Sequence, residues 1–216
     1  MTSMTNAPPT IVVFDLGGVL FDWNPDYLFR TLIADESERK WFLANICNSE
    51  WNLQQDAGRP LSEATAILSA RHPDHAHLIH AFYARWTEML GGTLAEGMAI
   101  FEALESAGVP LYALTNWSGE TFPYARDNYP FRPVIQRFKD VVVSGDEKLI
   151  KPDARIYQRM LERIRKHYPD AQPAQLVFID DVRRNVDAAH ALGWRAIHHT
   201  DPAATVAQLR SWGLPA

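Results

Sequence analysis

Four short apolar runs in this chain end in groups able to do chemistry. Ile11-Val12-Val13-Phe14 ends in Asp15, followed by Leu16-Gly17-Gly18, and Leu111-Tyr112-Ala113-Leu114 ends in Thr115-Asn116. Val141-Val142-Val143 ends in Ser144, with Lys148 and Lys151 just beyond, and Leu176-Val177-Phe178-Ile179 ends in Asp180-Asp181. One strand-ending Asp is most often a turn residue. Together the endings carry more weight, because buried parallel strands read as continuous apolar runs and open at their carboxyl ends onto a ligand-binding edge. Three carboxylates meeting there raise one another's pKa and require a compensating cation. An all-oxygen set that leaves room for water and phosphate suits Mg²⁺ better than zinc, and the sequence holds no CxxC or HExxH zinc pattern. A lysine and a hydroxyl at the same edge bind the remaining oxygens of a phosphoryl group. The set is that of phosphoryl transfer: a carboxylate nucleophile, a metal, and a cation for the charge spread over the equatorial oxygens.

The elements that must position these residues alternate after residue 94. The pattern predicts a helix to Ala107, a strand to Leu114, a helix from Ser118 to about Asn128 and the strand Val141–Val143. A helix from Asp153 to His167, the strand ending at Ile179, a helix from Arg184 to Leu192, a strand Trp194–His198 and a helix Pro202–Trp212 follow. Between Asp26 and Leu90 no strand is evident. Helices are expected over Asp26–Ile33, Glu36–Ile46, Ser62–Ala70 (capped by Ser62) and Asp74–Leu90, with a polar loop from Asn48 to Pro60 and Gly91-Gly92 closing the section. The expected fold is α/β, a Rossmann-like three-layer αβα core around a parallel sheet, with an inserted α-helical cap. Its parts are a tail over residues 1–10, a core over 11–24 and 91–216, and a cap over 25–90.

Composition narrows the class. The 216 residues are 47% hydrophobic and 22% charged, the balance of a globular protein with a substantial core. A formal net charge of -5 argues against a general nucleic-acid or anionic-membrane surface, but not against a small phosphorylated substrate. Cys47 is the single cysteine, so a disulfide scaffold is excluded, and it reads as a small apolar residue of a helix. Residues 1–10 lack an apolar signal core and no segment reaches transmembrane length, which makes a cytoplasmic location the default.

Phe14-Asp15-Leu16-Gly17-Gly18-Val19-Leu20, Leu114-Thr115-Asn116, Lys151-Pro152-Asp153 and Phe178-Ile179-Asp180-Asp181 resemble the ordered motifs of the haloacid dehalogenase (HAD) superfamily. The helical insert resembles the cap of subfamily IA. Asp-Leu-Gly-Gly and Lys-Pro-Asp-Ala-Arg-Ile-Tyr look most like the branch of sugar-1-phosphate phosphatases and epoxide-hydrolase phosphatase-like domains. The resemblance implies that Asp15 is the nucleophile and a Mg²⁺ ligand, with the Gly17 carbonyl, Asp180 and Asp181 completing the metal site. It implies that Thr115 and the Asn116 backbone hold the phosphoryl group and that Lys151 neutralises it.

The pattern is broken at one position. Family phosphatases carry a second Asp two residues after the nucleophile, as general acid and base; here Gly17 stands there. The loss of such a group typically costs about 100- to 10,000-fold. The favoured reading is a phosphatase acting on a sugar-phosphate-like metabolite, with its acid taken from water, Asp22 or the cap. A 2-haloacid dehalogenase and a weakly active metal- and phosphometabolite-binding protein are the alternatives.

In the cap, Trp51, Gln54, Gln55, Asp56 and Arg59 fall in the expected loop, where Gln54, Gln55 and Asp56 suit sugar hydroxyls, Trp51 a ring and Arg59 an anion. A solvated loop with Trp51 packed inward weighs equally. Trp117 either walls the site or packs core against cap. Trp41, Trp51 and Trp86 read as cap core, and an aromatic cap surface would also support a homodimer. His72, His75, His77 and His80 read as a solvated polar face, and His198-His199 as structural.

Overall fold

The computed structural model describes residues 11–215; the expected tail lies outside the described residues. In chain order, β1 (Ile11–Phe14) and β2 (Phe21–Trp23) precede the helices α1 (Asp26–Leu32), α2 (Glu36–Asn45), α3 (Ser49–Asp56), α4 (Leu61–Arg71) and α5 (Ala76–Ala84). Then come β3 (Leu90–Thr93), α6 (Ala95–Ser106), β4 (Leu111–Thr115), α7 (Phe122–Asp127), α8 (Arg132–Ile135), β5 (Val141–Val143) and α9 (Ser144–Glu147). The chain closes with α10 (Ala154–Arg165), β6 (Leu176–Asp180), α11 (Arg183–Ala191), β7 (Arg195–His198) and α12 (Pro202–Ser211).

The main sheet has the order β5-β4-β1-β6-β7, with every pairing parallel. Successive residues of β1 face opposite sides. Val12 and Phe14 join Ile100, Phe101 and Leu209 of α6 and α12; Ile11 and Val13 join Ile156, Tyr157 and Val186 of α10 and α11. This is the three-layer αβα core, and burial on both faces is why its strands read as unbroken apolar runs. On α10 the residues Ile156, Tyr157, Met160 and Ile164 form the buried stripe, and Asp153 caps the helix by accepting from the Arg155 N–H at 2.9 Å.

The helices α1 to α5 enclose their own apolar cluster, including Phe29, Phe42, Trp51, Leu68, Ile79 and Phe82. They form the helical cap. Both chain crossings into it are strands: β2 and β3 pair antiparallel, with Phe21 opposite Thr93 and Asp22 opposite Gly92. Neither strand was expected, because each is short and β3 contains two glycines with no alternating pattern.

Other local differences have similar causes. The expected polar loop from Asn48 to Pro60 contains helix α3, whose N-terminus is capped by Asn48 accepting from the Trp51 N–H at 2.8 Å. Ser62 does not cap α4; the helix starts at Leu61 after Pro60, with no side-chain cap. The single helix expected from Asp74 to Leu90 is broken at Arg85, and 3₁₀ turns flank α5 on both sides. The helix expected from Ser118 is confined to Phe122–Asp127. Cys47 is buried in the turn between α2 and α3 rather than in a helix, and burial pushes its thiol pKa up, away from reactivity. Trp41 is half exposed rather than part of the cap core. His77 and His80 are exposed, while His75 packs on Trp41 and Phe42. Among the described residues no helix is long and apolar enough to cross a membrane.

Candidate active site

β1 and β6 run side by side, with Phe14 opposite Ile179, so the residues that follow them are neighbours at the carboxyl edge. Asp15 there accepts from the Leu16 N–H at 2.7 Å through Oδ1. Its Oδ2 lies 2.7 Å from Lys151 Nζ, which also donates to Asp180 Oδ2 at 2.7 Å. Asp180 is fully buried; its Oδ1 accepts from the Val182 N–H and from Asn185 Nδ2, at 2.8 and 3.0 Å. Asn116, at the end of β4, fixes the lysine by a reciprocal pair: Asn116 Nδ2 donates to the Lys151 carbonyl at 3.1 Å and Asn116 Oδ1 accepts from the Lys151 N–H at 2.9 Å.

Burial raises the pKa of Asp15, with Asp180 and Asp181 adding to the effect and Lys151 opposing it. Burial alone would push Lys151 down, but Asp15 and Asp180 together hold its pKa above the ordinary lysine value. Asp181 is raised by burial and by Asp180. Ligand oxygens of Asp15, Asp180 and Asp181 all lie within 4.8 Å of one another. Three carboxylates against one ammonium leave a buried cluster net negative. A hard divalent cation satisfies that charge with the oxygen donors it prefers, so the residues fit Mg²⁺. The Asn185 Oδ1 beside this cluster is buried and has no hydrogen-bond partner among the described residues. Gly18 serves the same approach: it has φ 70°, and a Cβ there would stand 2.4 Å from Asp181 Oδ2.

Thr115 and Lys151 are almost wholly buried beneath a cavity of about 270 Å³. Asp15, Gly17, Gly18, Asn116 and Asp181 reach its surface. Trp117, Ser118 and Thr121 line it from the core side, and Trp117 also packs edge-on against Phe21, Trp86 and Phe122. Asn52, Asp56, Phe82, Tyr83 and Trp86 line it from the cap, with Phe21, Trp23 and Met89 at the junction. Apart from Asp56 and a few amides and hydroxyls, the upper walls are aromatic.

Trp51, Gln55 and Arg59 are not among the lining residues. The reason is the helix α3: residues four apart share a face, so Trp51 and Gln55 turn into the cap core while Asn52 and Asp56 turn to the cavity. Trp51 packs on Phe82 and Tyr83. Gln55 and Arg59 begin a chain of hydrogen bonds instead. Arg59 Nε donates to Gln55 Oε1 at 2.8 Å, Gln55 Nε2 to Tyr83 Oη at 2.9 Å, Tyr83 Oη to Asn52 Oδ1 at 2.9 Å, and Asn52 Nδ2 to Asp56 Oδ2 at 3.2 Å. Every link donates toward Asp56. Sequence reasoning missed Asn52, Phe82 and Tyr83 as lining residues and placed Trp86 in the core; Asn48 followed by polar residues at four-residue spacing was the available signal.

Ser144, at the end of β5, joins cap to core rather than meeting the cluster. Its Oγ donates to the Asp56 carbonyl at 2.6 Å and accepts from the Trp117 N–H at 2.9 Å. Asp22 points elsewhere, accepting from Tyr27 Oη at 2.6 Å through Oδ2. His198 holds the Asp181 carbonyl at 2.9 Å, and His199 bonds Thr205 Oγ1 at 2.9 Å.

Residues 9–193 match the family described as haloacid dehalogenase-like hydrolase. The chain belongs to that family. Among its relatives is the sesquiterpene phosphatase astK of Aspergillus oryzae, 30% identical over 200 residues that cover 92% of this chain and 93% of the relative. A HAD family enzyme of Bacteroides thetaiotaomicron, solved as a magnesium complex, shares the fold with a TM-score of 0.64 and 21% identity over 88% of this chain and 93% of the other. The L-2-haloacid dehalogenase of Xanthobacter autotrophicus does so with a TM-score of 0.59 and 16% identity, over 96% and 85% of the two chains.

Proposed function

We propose that this hydrolase is a Mg²⁺-dependent phosphatase, and that its substrate is a small phosphomonoester with an apolar organic part. The observation that carries the reading is a cavity that is anionic, metal-competent and lysine-backed at its floor but aromatic on its upper walls. The floor favours phosphoryl chemistry over dehalogenation, which needs neither metal nor acidic pair. The walls favour hydrocarbon over a sugar, because Gln55 and Arg59, read as sugar and anion contacts, are engaged with each other behind the wall. The named activity of the Aspergillus relative, on a sesquiterpene, points the same way.

In this reading Asp15, Asp180, Asp181 and the Gly17 carbonyl would hold Mg²⁺, which would neutralise carboxylate and phosphate charge so that the two can approach. Asp15 attacks phosphorus and carries the phosphoryl group as an aspartyl-phosphate until water releases it. Lys151 balances the charge on Asp15 and, with Thr115 and Asn116, on the transferring oxygens. Residues 25–90 form the unit that selects what reaches Asp15.

A series of primary alkyl phosphates, with glycerol phosphate and a sugar 1-phosphate beside it, tests both halves. Activity should require Mg²⁺, vanish with chelator and fall at least about 1000-fold in Asp15→Asn, while KM falls with each added methylene. Activity unaltered in Asp15→Asn, or a preference for the sugar phosphate over every alkyl ester, would overturn the corresponding half.

A further inference from the structure

Gly17 leaves the ester's departing oxygen without the proton donor that the neighbouring position would otherwise supply, so a phosphatase of unactivated esters needs that donor elsewhere. Several observations single out one group. Asp56 is a carboxylate that reaches the cavity from the cap, where the organic part and its bridging oxygen must sit above Asp15. It is more than nine-tenths buried and forms no ion pair among the described residues. Its position is fixed from two directions: Ser144 grips its carbonyl from the core, and the chain from Arg59 through Gln55, Tyr83 and Asn52 ends on its carboxyl group. Asp22, the other nearby acid, is committed to Tyr27 outside the cavity wall.

We infer that Asp56 is the general acid and base of the reaction, supplied by the cap in place of the residue missing at position 17. The inference rests on the phosphatase reading above. In the first step the Asp15 carboxylate forms a bond to phosphorus as the ester P–O bond breaks, and the Asp56 carboxyl proton passes to the departing alkoxide oxygen, giving the alcohol, the aspartyl-phosphate and an Asp56 carboxylate. In the second step Asp56 takes a proton from water as its oxygen attacks phosphorus; inorganic phosphate leaves, and Asp15 is again a carboxylate and Asp56 a carboxylic acid. The environment suits this duty: burial, the largest influence, raises the Asp56 pKa to about 7 against the opposing pull of the Ser118 backbone and Lys151. Lys151, Tyr83, Asp15 and Asp181 are the titratable groups that face it or share its cavity.

A general acid matters in proportion to how poor the leaving group is. Asp56→Asn should therefore reduce kcat/KM, which reports the first step, by about 100-fold or more on octyl phosphate and less than about fivefold on 4-nitrophenyl phosphate, while kcat falls on both because they share the aspartyl-phosphate. The wild-type alkaline limb of kcat/KM near pH 7 on octyl phosphate should disappear in the variant. Position 17 provides the rescue: its φ is ordinary and a Cβ there meets nothing within 4 Å, so Gly17→Asp in the Asp56→Asn background should recover octyl phosphate hydrolysis. Equal losses of kcat/KM on both esters, or none on either, in a variant that still depends on Asp15, overturn the role of Asp56 alone. Should Asp56→Asn not fold, an octyl phosphate pH profile without that limb, or the same limb on both esters, overturns it in the wild type. A wild type that hydrolyses neither ester with Mg²⁺ removes the phosphatase reading as well.

Discussion

At the scale of single residues, the site concentrates ionisable groups where water is scarce, and this has a cost in stability. Asp56 has a native pKa of about 7 against an ordinary 3.8. A carboxyl group raised by folding contributes fully below its unfolded pKa, and that contribution is lost as pH rises through the folded value. Between pH 4 and 7 the protein should therefore lose stability on account of Asp56. At about 1.4 kcal/mol per pKa unit the loss reaches roughly 3–4 kcal/mol by pH 8. Asp56→Asn should melt above the wild type at pH 8 and level with it at pH 4. Thermal unfolding at the two values checks this, and a variant less stable at pH 8 would contradict it. The residues of the cluster itself, Asp15, Lys151, Asp180 and Asp181, were legible in the sequence because each stands at or beyond the end of an apolar run, and strand direction then gathers them. Asp56 was visible only as part of a polar stretch, since nothing in its neighbours shows which face of a helix they will take.

At the scale of elements, the connection between α3 and the end of β5 governs the site. The hydroxyl of Ser144 is wholly buried and serves two backbone groups, the Asp56 carbonyl and the Trp117 N–H. Ser144→Ala leaves both unpaired and should destabilise the fold by about 1–3 kcal/mol, measured by urea unfolding. It should also reduce kcat/KM on alkyl phosphates more than on 4-nitrophenyl phosphate, because it loosens Asp56. The strands and the long amphipathic helices of the core were readable from period and apolarity alone. By contrast α3 is mostly polar, β2 and β3 have three or four residues each, and α7 is cut short after Trp117 docks on cap and core aromatics. In these places tertiary contacts outweigh local preference.

At the scale of the whole molecule, the core carries the charged floor and the cap furnishes half of the aromatic residues of the wall. Trp86 touches both, meeting Trp117 and Tyr124 edge-on. Trp86→Ala should raise KM for dodecyl phosphate by about 10-fold or more, since burial of a large apolar group contributes about 1.5–3 kcal/mol, while glycerol phosphate shifts less than about twofold. Steady-state kinetics on the two esters decides it; equal changes would place Trp86 in folding alone.

The paired crossings β2 and β3 have a consequence for how such a molecule is assembled. Asp22 and Gly92 stand opposite each other on adjoining strands, so the chain leaves the core and returns to it at nearly the same point. Seen from the core, everything between them is an enlarged hairpin turn, and a tight turn in its place would close the same two strands. The core can thus exchange one lid for another without altering a strand order, which keeps the charged floor constant while the walls above it are rewritten.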